Sequence, residues 1–178
     1  MREPVDDEED GPAPVDPIQE FWYLARGHAR AGDLDVYLGP RWGSVVAPLA
    51  WSFGGDGDQA LALVLQGRKT ATTGLYQDYL DAGEPLPSPG ELSIVLDGAG
   101  APRALLRDTA VVTLPFGQVT PDQAAAEADG DGSLAQWRTA HRTAFARDGR
   151  VVGEDTLVVW ERFEVLYQAA RPGVGGAP

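Results

Sequence analysis

The feature that most restricts how this chain can fold is an apolar hairpin. Leu92-Ser93-Ile94-Val95-Leu96 is followed by the turn Asp97-Gly98-Ala99-Gly100 and then by Ala104 to Leu114. The β-branched content of both runs, with Gly and Asp between them, predicts two antiparallel strands. A third extended run, Thr156 to Tyr167, alternates well enough to close a sheet. No βαβ series is readable, so a doubly wound parallel sheet is excluded. The pattern predicts an α+β domain built on a small antiparallel or mixed barrel.

The helices are short and carry their own punctuation. Asp16-Pro17 reads as an N-cap with Pro at the first helical position, and Ile18, Phe21, Trp22 and Ala25 follow at helical spacing, so a helix is expected from Pro17 to about Ala31. Residues 32–40 read as a loop and Trp42 to Phe53 as an extended stretch, broken by Gly54-Gly55-Asp56-Gly57-Asp58. Asp58 is the expected cap of a helix through Leu61, Val64 and Leu65, stopped by Gly67. Leu75 to Leu80 fits a helical turn or two before the rigid loop of residues 83–90. Thr120-Pro121-Asp122-Gln123 is a capping box opening a helix that carries Glu127. After Asp129-Gly130-Asp131-Gly132, Ser133 and Gln136 repeat that logic for a helix through Trp137, His141 and Phe145. Residues 1–15 are expected to be a disordered acidic tail, residues 16–167 one domain, and residues 168–178 a flexible Gly/Pro-rich tail.

Composition narrows the function classes. A chain of 178 residues without cysteine excludes a disulfide framework and thiolate catalysis. No apolar run reaches the ~18 residues of a membrane span, and the acidic N-terminus is unlike a secretory signal, so a cytoplasmic protein is expected. The net charge of -13 opposes stable binding of long nucleic acid, DNA in particular, while leaving room for a small ligand.

Of the 14 basic side chains only Lys69 is a lysine. In an Arg-rich chain, a lone lysine stands out because Lys can release its proton when buried and Arg effectively cannot. A buried Lys beside a hydroxyl can act as a general base, and Thr72 is three residues away. The pair share a face if the turn is helical and oppose one another in a regular strand; a solvated Lys-Thr turn after a Gly C-cap is the competing reading. Glu127 is a candidate counter-ion or proton carrier for Lys69, or else a surface carboxylate. Of the two histidines, His28 suits a helix C-terminus and His141 a packed core face. Without a close carboxylate pattern, neither predicts a zinc site. Tyr76, the aromatic nearest Lys69, is a candidate for stacking on a base or for core packing, and Arg68 is a second candidate substrate contact.

Gly67-Arg68-Lys69-Thr70-Ala71-Thr72 resembles the Gly-x-Lys-x-x-Thr signature of the ASCH family, the activating signal cointegrator homology domain. Glu84-Pro85-Leu86-Pro87 leading into Gly90–Asp97, then Pro115-Phe116, Ala125-Ala126-Glu127, Ser133-Leu134 with Trp137, and Glu161–Val165 extend the likeness over residues 17–167. The resemblance implies a PUA-like small β-barrel flanked by short helices, here with an extra N-terminal helix. It also implies a cleft for a small nucleoside-like ligand or single-stranded RNA; no cofactor is expected, and the residues themselves predict no metal. Some small members remove the acetyl group of N4-acetylcytidine with a Lys, a Thr three residues later and a downstream Glu, which map onto Lys69, Thr72 and Glu127. Other members imply a non-enzymatic RNA or modified-nucleotide binding module, or a ribonuclease. Those small amidohydrolases place an Arg two residues after the Thr, where this chain has Gly74. This chain is also longer, with the Asp129–Gly132 insert.

Overall fold

The computed structural model describes residues 16–28 and 46–169. The expected acidic tail, the loop of residues 32–40, Trp42 and most of the C-terminal tail lie outside the described residues. In chain order the elements are α1 (Pro17–His28), β1 (Leu49–Trp51), α2 (Gly57–Leu65), β2 (Ala71–Leu75), α3 (Tyr76–Ala82), β3 (Leu92–Leu96) and β4 (Pro102–Pro115). A 3-10 turn (Phe116–Gln118), α4 (Pro121–Glu127), α5 (Leu134–Arg147) and β5 (Leu157–Gln168) complete them.

The strands form one mixed sheet in the order β1-β3-β4-β5-β2. The expected hairpin is present as the antiparallel β3–β4 pair, and β5 runs antiparallel to both β4 and β2. Only β1 runs parallel to its neighbour β3. Register shifts between Leu105 and Leu106 and between Asp108 and Ala110 interrupt the long β4–β5 ladder. Bulges of this kind increase local twist and bend a strand, which lets a five-stranded sheet curl into a half-barrel.

The core explains why β3 and β4 read as continuous apolar runs and not as strict alternation. Ile94 and Leu105 pack with Phe21, Trp22 and Ala25 of α1. Their neighbours Val95, Ala104 and Leu106 pack with Leu61 and Val64 of α2. Successive side chains of a strand point to opposite faces, so α1 and α2 cover opposite faces of the sheet here. A third cluster joins Leu75 and Val158 to Phe116, Val119, Ala124 and Trp137, docking α4 and α5 against β2 and β5. The capping box is formed as expected, Thr120 accepting from the Gln123 amide and the Gln123 side chain accepting from the Thr120 amide. Asp58 departs from expectation. The N-cap position is Asp56, and the Asp58 carboxylate instead accepts from the Gly98 amide at 2.7 Å, tying α2 to the β3–β4 turn.

Candidate functional site

Two chain reversals create the site. At the end of α2, Gly67 adopts φ +70°, the left-handed conformation that glycine tolerates. The Arg68 and Lys69 amides then fold back onto the Leu63 carbonyl at 2.9 and 3.1 Å. The next amide, Thr70, donates to the Ala126 carbonyl at 2.8 Å, pinning Lys69 against the C-terminal end of α4. There Ala128 ends α4 with φ 56°, the single positive-φ non-glycine among the described residues. This reversal directs Glu127 inward and brings Asp129 back toward the same point. Such backbone strain costs about 1–2 kcal/mol and clusters at functional sites.

Glu127 is the hub. It is 1% exposed, and its carboxylate is fully engaged. Oε1 accepts from the Thr73 hydroxyl at 2.6 Å and from the Trp137 indole at 2.7 Å. Oε2 faces the Lys69 amine at 3.4 Å and His141 Nε2 at 3.3 Å. Asp129 lies beside the same two groups, its carboxylate 3.6 Å from the Lys69 amine and 3.7 Å from His141 Nδ1. Lysine, two carboxylates and histidine thus form a closed ring, with each carboxylate between the two nitrogen bases. Burial alone raises the Glu127 pKa. The hydrogen bond and charge of His141, the Lys69 charge and the Thr73 hydroxyl outweigh it and hold the carboxyl at about 2. His141 is stacked on Trp137, one helical turn earlier, with ring centroids 4.2 Å apart, and it meets Phe145 edge-on at 5.7 Å.

Glu127, Asp129 and His141 bring one ligand atom each within 4.8 Å of one another, a spacing that could hold a cation. The Lys69 amine already lies against both carboxylates and supplies the positive charge a metal would bring.

A model of the ASCH domain matches residues 49–167. The chain belongs to the ASCH domain family. Among solved structures, the ASCH domain from Lactobacillus crispatus JV V101 is 28% identical with a TM-score of 0.67, over 88% of this chain and 98% of that one. A protein of Enterococcus faecalis V583 is 30% identical with a TM-score of 0.67, over 84% of this chain and 87% of that one. No curated protein matches. The half-barrel with flanking helices is therefore the ASCH fold, and α1 is present on it. No helix among the described residues is long and apolar enough to cross a membrane.

In this ASCH domain the ring lines a cavity of about 760 Å³, and Lys69, Thr72, Thr73, Glu127 and His141 all border it. An adjoining cavity of about 570 Å³ shares Phe53, Gly54, Thr72 and Thr73 with the first, so the two are lobes of one cleft with Thr72 at their junction. The second lobe is walled by Trp51 and Phe53 and floored by carboxylates. Asp108 is pushed up to about 7 by burial and by the charges of Glu161 and Glu91. Glu161 is raised chiefly by burial, against the hydrogen bond it accepts from Tyr79 at 2.9 Å. Burial and the Glu161 carboxylate push the Tyr79 hydroxyl up in turn.

Lys69 and Glu127 meet directly, joined by sequence-distant contacts and not by a shared helix. Thr72 borders the same cavity, and its hydroxyl has no hydrogen-bond partner among the described residues. In β2 it is paired with Glu161, while Thr73, paired with Trp160, points to the opposite face and reaches Glu127. Arg68 is exposed at the rim of the Lys69 lobe. Tyr76 borders neither lobe; Tyr79, one turn further along α3, holds the cleft-wall position. His141 is packed among aromatics as expected, and it also lies beside two carboxylates that no close pattern in the sequence announces. The i, i+4 spacing of Trp137 and His141 and the acid-rich 127–131 segment just upstream are the signals that could have found it. The acidic second lobe left no local signal, because Asp108 and Glu161 are far apart in sequence and are brought together by the β4–β5 ladder.

Proposed function

We propose that this ASCH domain hydrolyses the exocyclic amide of a small N4-acylated, cytidine-like nucleoside. The observation that carries the reading is the buried Lys69–Glu127 contact at the base of a cavity whose junction with a second lobe is Thr72. In this scheme Thr72 Oγ1 adds to the acyl carbon while its proton passes to the neutral Lys69 amine. The C–N bond then breaks, and the departing cytosine amino group takes that proton from Lys69. Water cleaves the resulting Thr72 ester by the same proton route, releasing the carboxylic acid and restoring the hydroxyl. Thr73 and Trp137 hold Glu127 in place, and Glu127 orients the Lys69 amine.

The second lobe supports a nucleoside over a polynucleotide. Its aromatic wall suits a flat base, and its carboxylates accept hydrogen bonds from amino and hydroxyl groups. The same carboxylates repel phosphate, so the single-stranded RNA and ribonuclease readings gain no support from the lining.

The test is incubation of the purified protein with N4-acetylcytidine, following cytidine and acetate release. Turnover is expected, and Lys69→Arg, which keeps the charge but cannot serve as a base, is expected to reduce kcat by about 100-fold or more. An untouched substrate across several N4-acyl analogues, or full activity in Lys69→Arg, refutes the reading.

A further inference from the structure

With the cytosine in the acidic lobe and Thr72 at the junction, the acyl group of the substrate enters the Lys69 lobe. That lobe is far larger than an acetyl group requires. Its volume of about 760 Å³ is in the range of pockets that enclose whole small-molecule ligands. We propose that it is a subsite for an acyl arm that ends in an anion, a dicarboxylic monoacyl chain, with Arg68 and Arg147 receiving the terminal carboxylate. The inference rests on the hydrolase reading for its chemistry, while the anion subsite stands or falls by binding.

Three observations carry it. Arg68 and Arg147 both border the lobe at its exposed rim, and neither has a hydrogen bond, ion pair or ring contact with a described residue. The remaining described arginines are each held by a carboxylate, a backbone carbonyl or an aromatic ring. The two guanidiniums without a partner therefore stand at one cavity, and a planar guanidinium pairs best with a carboxylate, through two parallel hydrogen bonds. Arg147 lies close over the lining: a Cβ built on Gly55, which borders this lobe, would be 3.4 Å from Arg147 Nη1.

The second observation is the rest of the wall. It includes Phe53, Ala60, Leu63, Ala144 and Phe145, apolar surface suited to the methylene groups of a chain. The third is the contrast in charge between the lobes. The acidic lobe is lined by Glu84, Glu91, Asp108 and Glu161, with no lysine or arginine among its lining residues. The Lys69 lobe sets Lys69, Arg68 and Arg147 against Asp56, Glu127, Asp129 and Asp148. Glu127 and Asp129 already lie against the Lys69 amine, and neither Asp56 nor Asp148 pairs with an arginine among the described residues. An anionic end is thus admitted on the Lys69 side and repelled on the other.

In this arrangement Thr72 Oγ1 adds to the amide carbonyl next to the nucleoside, and the C–N bond breaks. Cytidine leaves with the Thr72 proton, carried by Lys69, and the chain remains on Thr72 as an ester. Water then releases it as a dicarboxylate and restores the hydroxyl.

N4-succinylcytidine and N4-butyrylcytidine carry acyl chains of equal length that differ in the terminal carboxylate. After subtraction of the uncatalysed rates, kcat/KM is expected to favour the succinyl compound by about tenfold or more. In Arg68→Gln/Arg147→Gln that ratio is expected to fall to about threefold or less. Both side chains are exposed, so the double variant is expected to fold. N4-acetylcytidine 5′-phosphate is expected to turn over no faster than N4-acetylcytidine. A gain from the phosphate that the double variant removes gives the arginines to a nucleotide and overturns the acyl assignment. A ratio near one, or a preference that survives in the double variant, overturns it as well. If none of these compounds turns over, the hydrolase reading fails, and NMR titration with succinate against butyrate decides the subsite. Saturable amide shifts at Gly55, Ala128 and Ala144 with succinate, lost in the double variant, uphold it. Their absence, or equal shifts with butyrate, overturns it.

Discussion

Replacing Glu127 by Gln tests whether the buried ring is a linked electrostatic unit. The amide keeps a carbonyl oxygen for Thr73 and Trp137, which donate at 2.6 and 2.7 Å. It replaces the oxygen facing Lys69 and His141, at 3.4 and 3.3 Å, with an N–H donor. Lys69 is left with Asp129 as its one carboxylate partner among the described residues. The magnitude follows from the carboxyl itself, held at about 2 in the fold against an ordinary 4.5. At 1.36 kcal/mol per pH unit that is about 3 kcal/mol at pH 7. Breaking one side of a buried ion pair is independently expected to cost about 3–5 kcal/mol, so the two estimates agree. The sign also gives a pH dependence. A depressed carboxyl stabilises fully above about pH 4.5, and that stabilisation is lost as pH falls through about 2. The difference between the two proteins should therefore shrink to about 1 kcal/mol at pH 3. Urea unfolding followed by tryptophan fluorescence at pH 7 and pH 3 measures both numbers. A difference below about 1 kcal/mol at pH 7, or one that does not narrow at pH 3, would refute the linked-ring account.

Ala128→Gly removes the left-handed strain at φ 56° and is expected to stabilise by about 0.5–1 kcal/mol, or a few degrees in Tm; a loss of stability shows that the reversal is not strained. Thr73→Val deletes the 2.6 Å hydrogen bond to a buried carboxylate and is expected to cost about 1.5–3 kcal/mol in urea unfolding. Thr72→Val, with no partner to lose among the described residues, should cost well under 1 kcal/mol in the same measurement. Asp108→Asn removes a carboxyl raised to about 7, whose penalty in the fold grows as pH rises from its ordinary 3.8 and levels off above about 7. Discounting for its partial exposure, the gain should be about 1–2 kcal/mol at pH 8 and near zero at pH 3.5, read from Tm at the two pH values.

Much of the local structure was legible because its causes are local. Thr120 and Gln123 cap α4 through bonds that span three residues, and Gly67 stops α2 because that position needs φ +70°. The hairpin of β3 and β4 announced itself in its apolar runs and turn. The site was legible in part. Lys69 stood out by being the single lysine, and Glu127 by its place at the end of a capped helix; the fold brings them to 3.4 Å. At the start of α2 the cap position is Asp56, two residues before the expected Asp58, and of the two tyrosines of α3 it is Tyr79 and not Tyr76 that borders the cleft. Within one turn of a helix the choice rests on what packs alongside, and periodicity does not supply that.

The sequence by itself determined an α+β chain of the ASCH family, with one lysine beside a Thr-Thr pair and an acid-rich helix end downstream. Only the tertiary structure decided which of those groups meet. The pairing of β2 with β5 sends Thr73 to Glu127 and leaves Thr72 at the junction of the two lobes, because adjacent strand residues face opposite ways. Closure of the 128–133 segment sets His141 across Glu127 from Lys69, turning a packed aromatic-face histidine into the fourth member of a charged ring. Both outcomes depend on contacts between residues far apart in the chain, whose geometry exists only once the sheet has curled and the helices have docked.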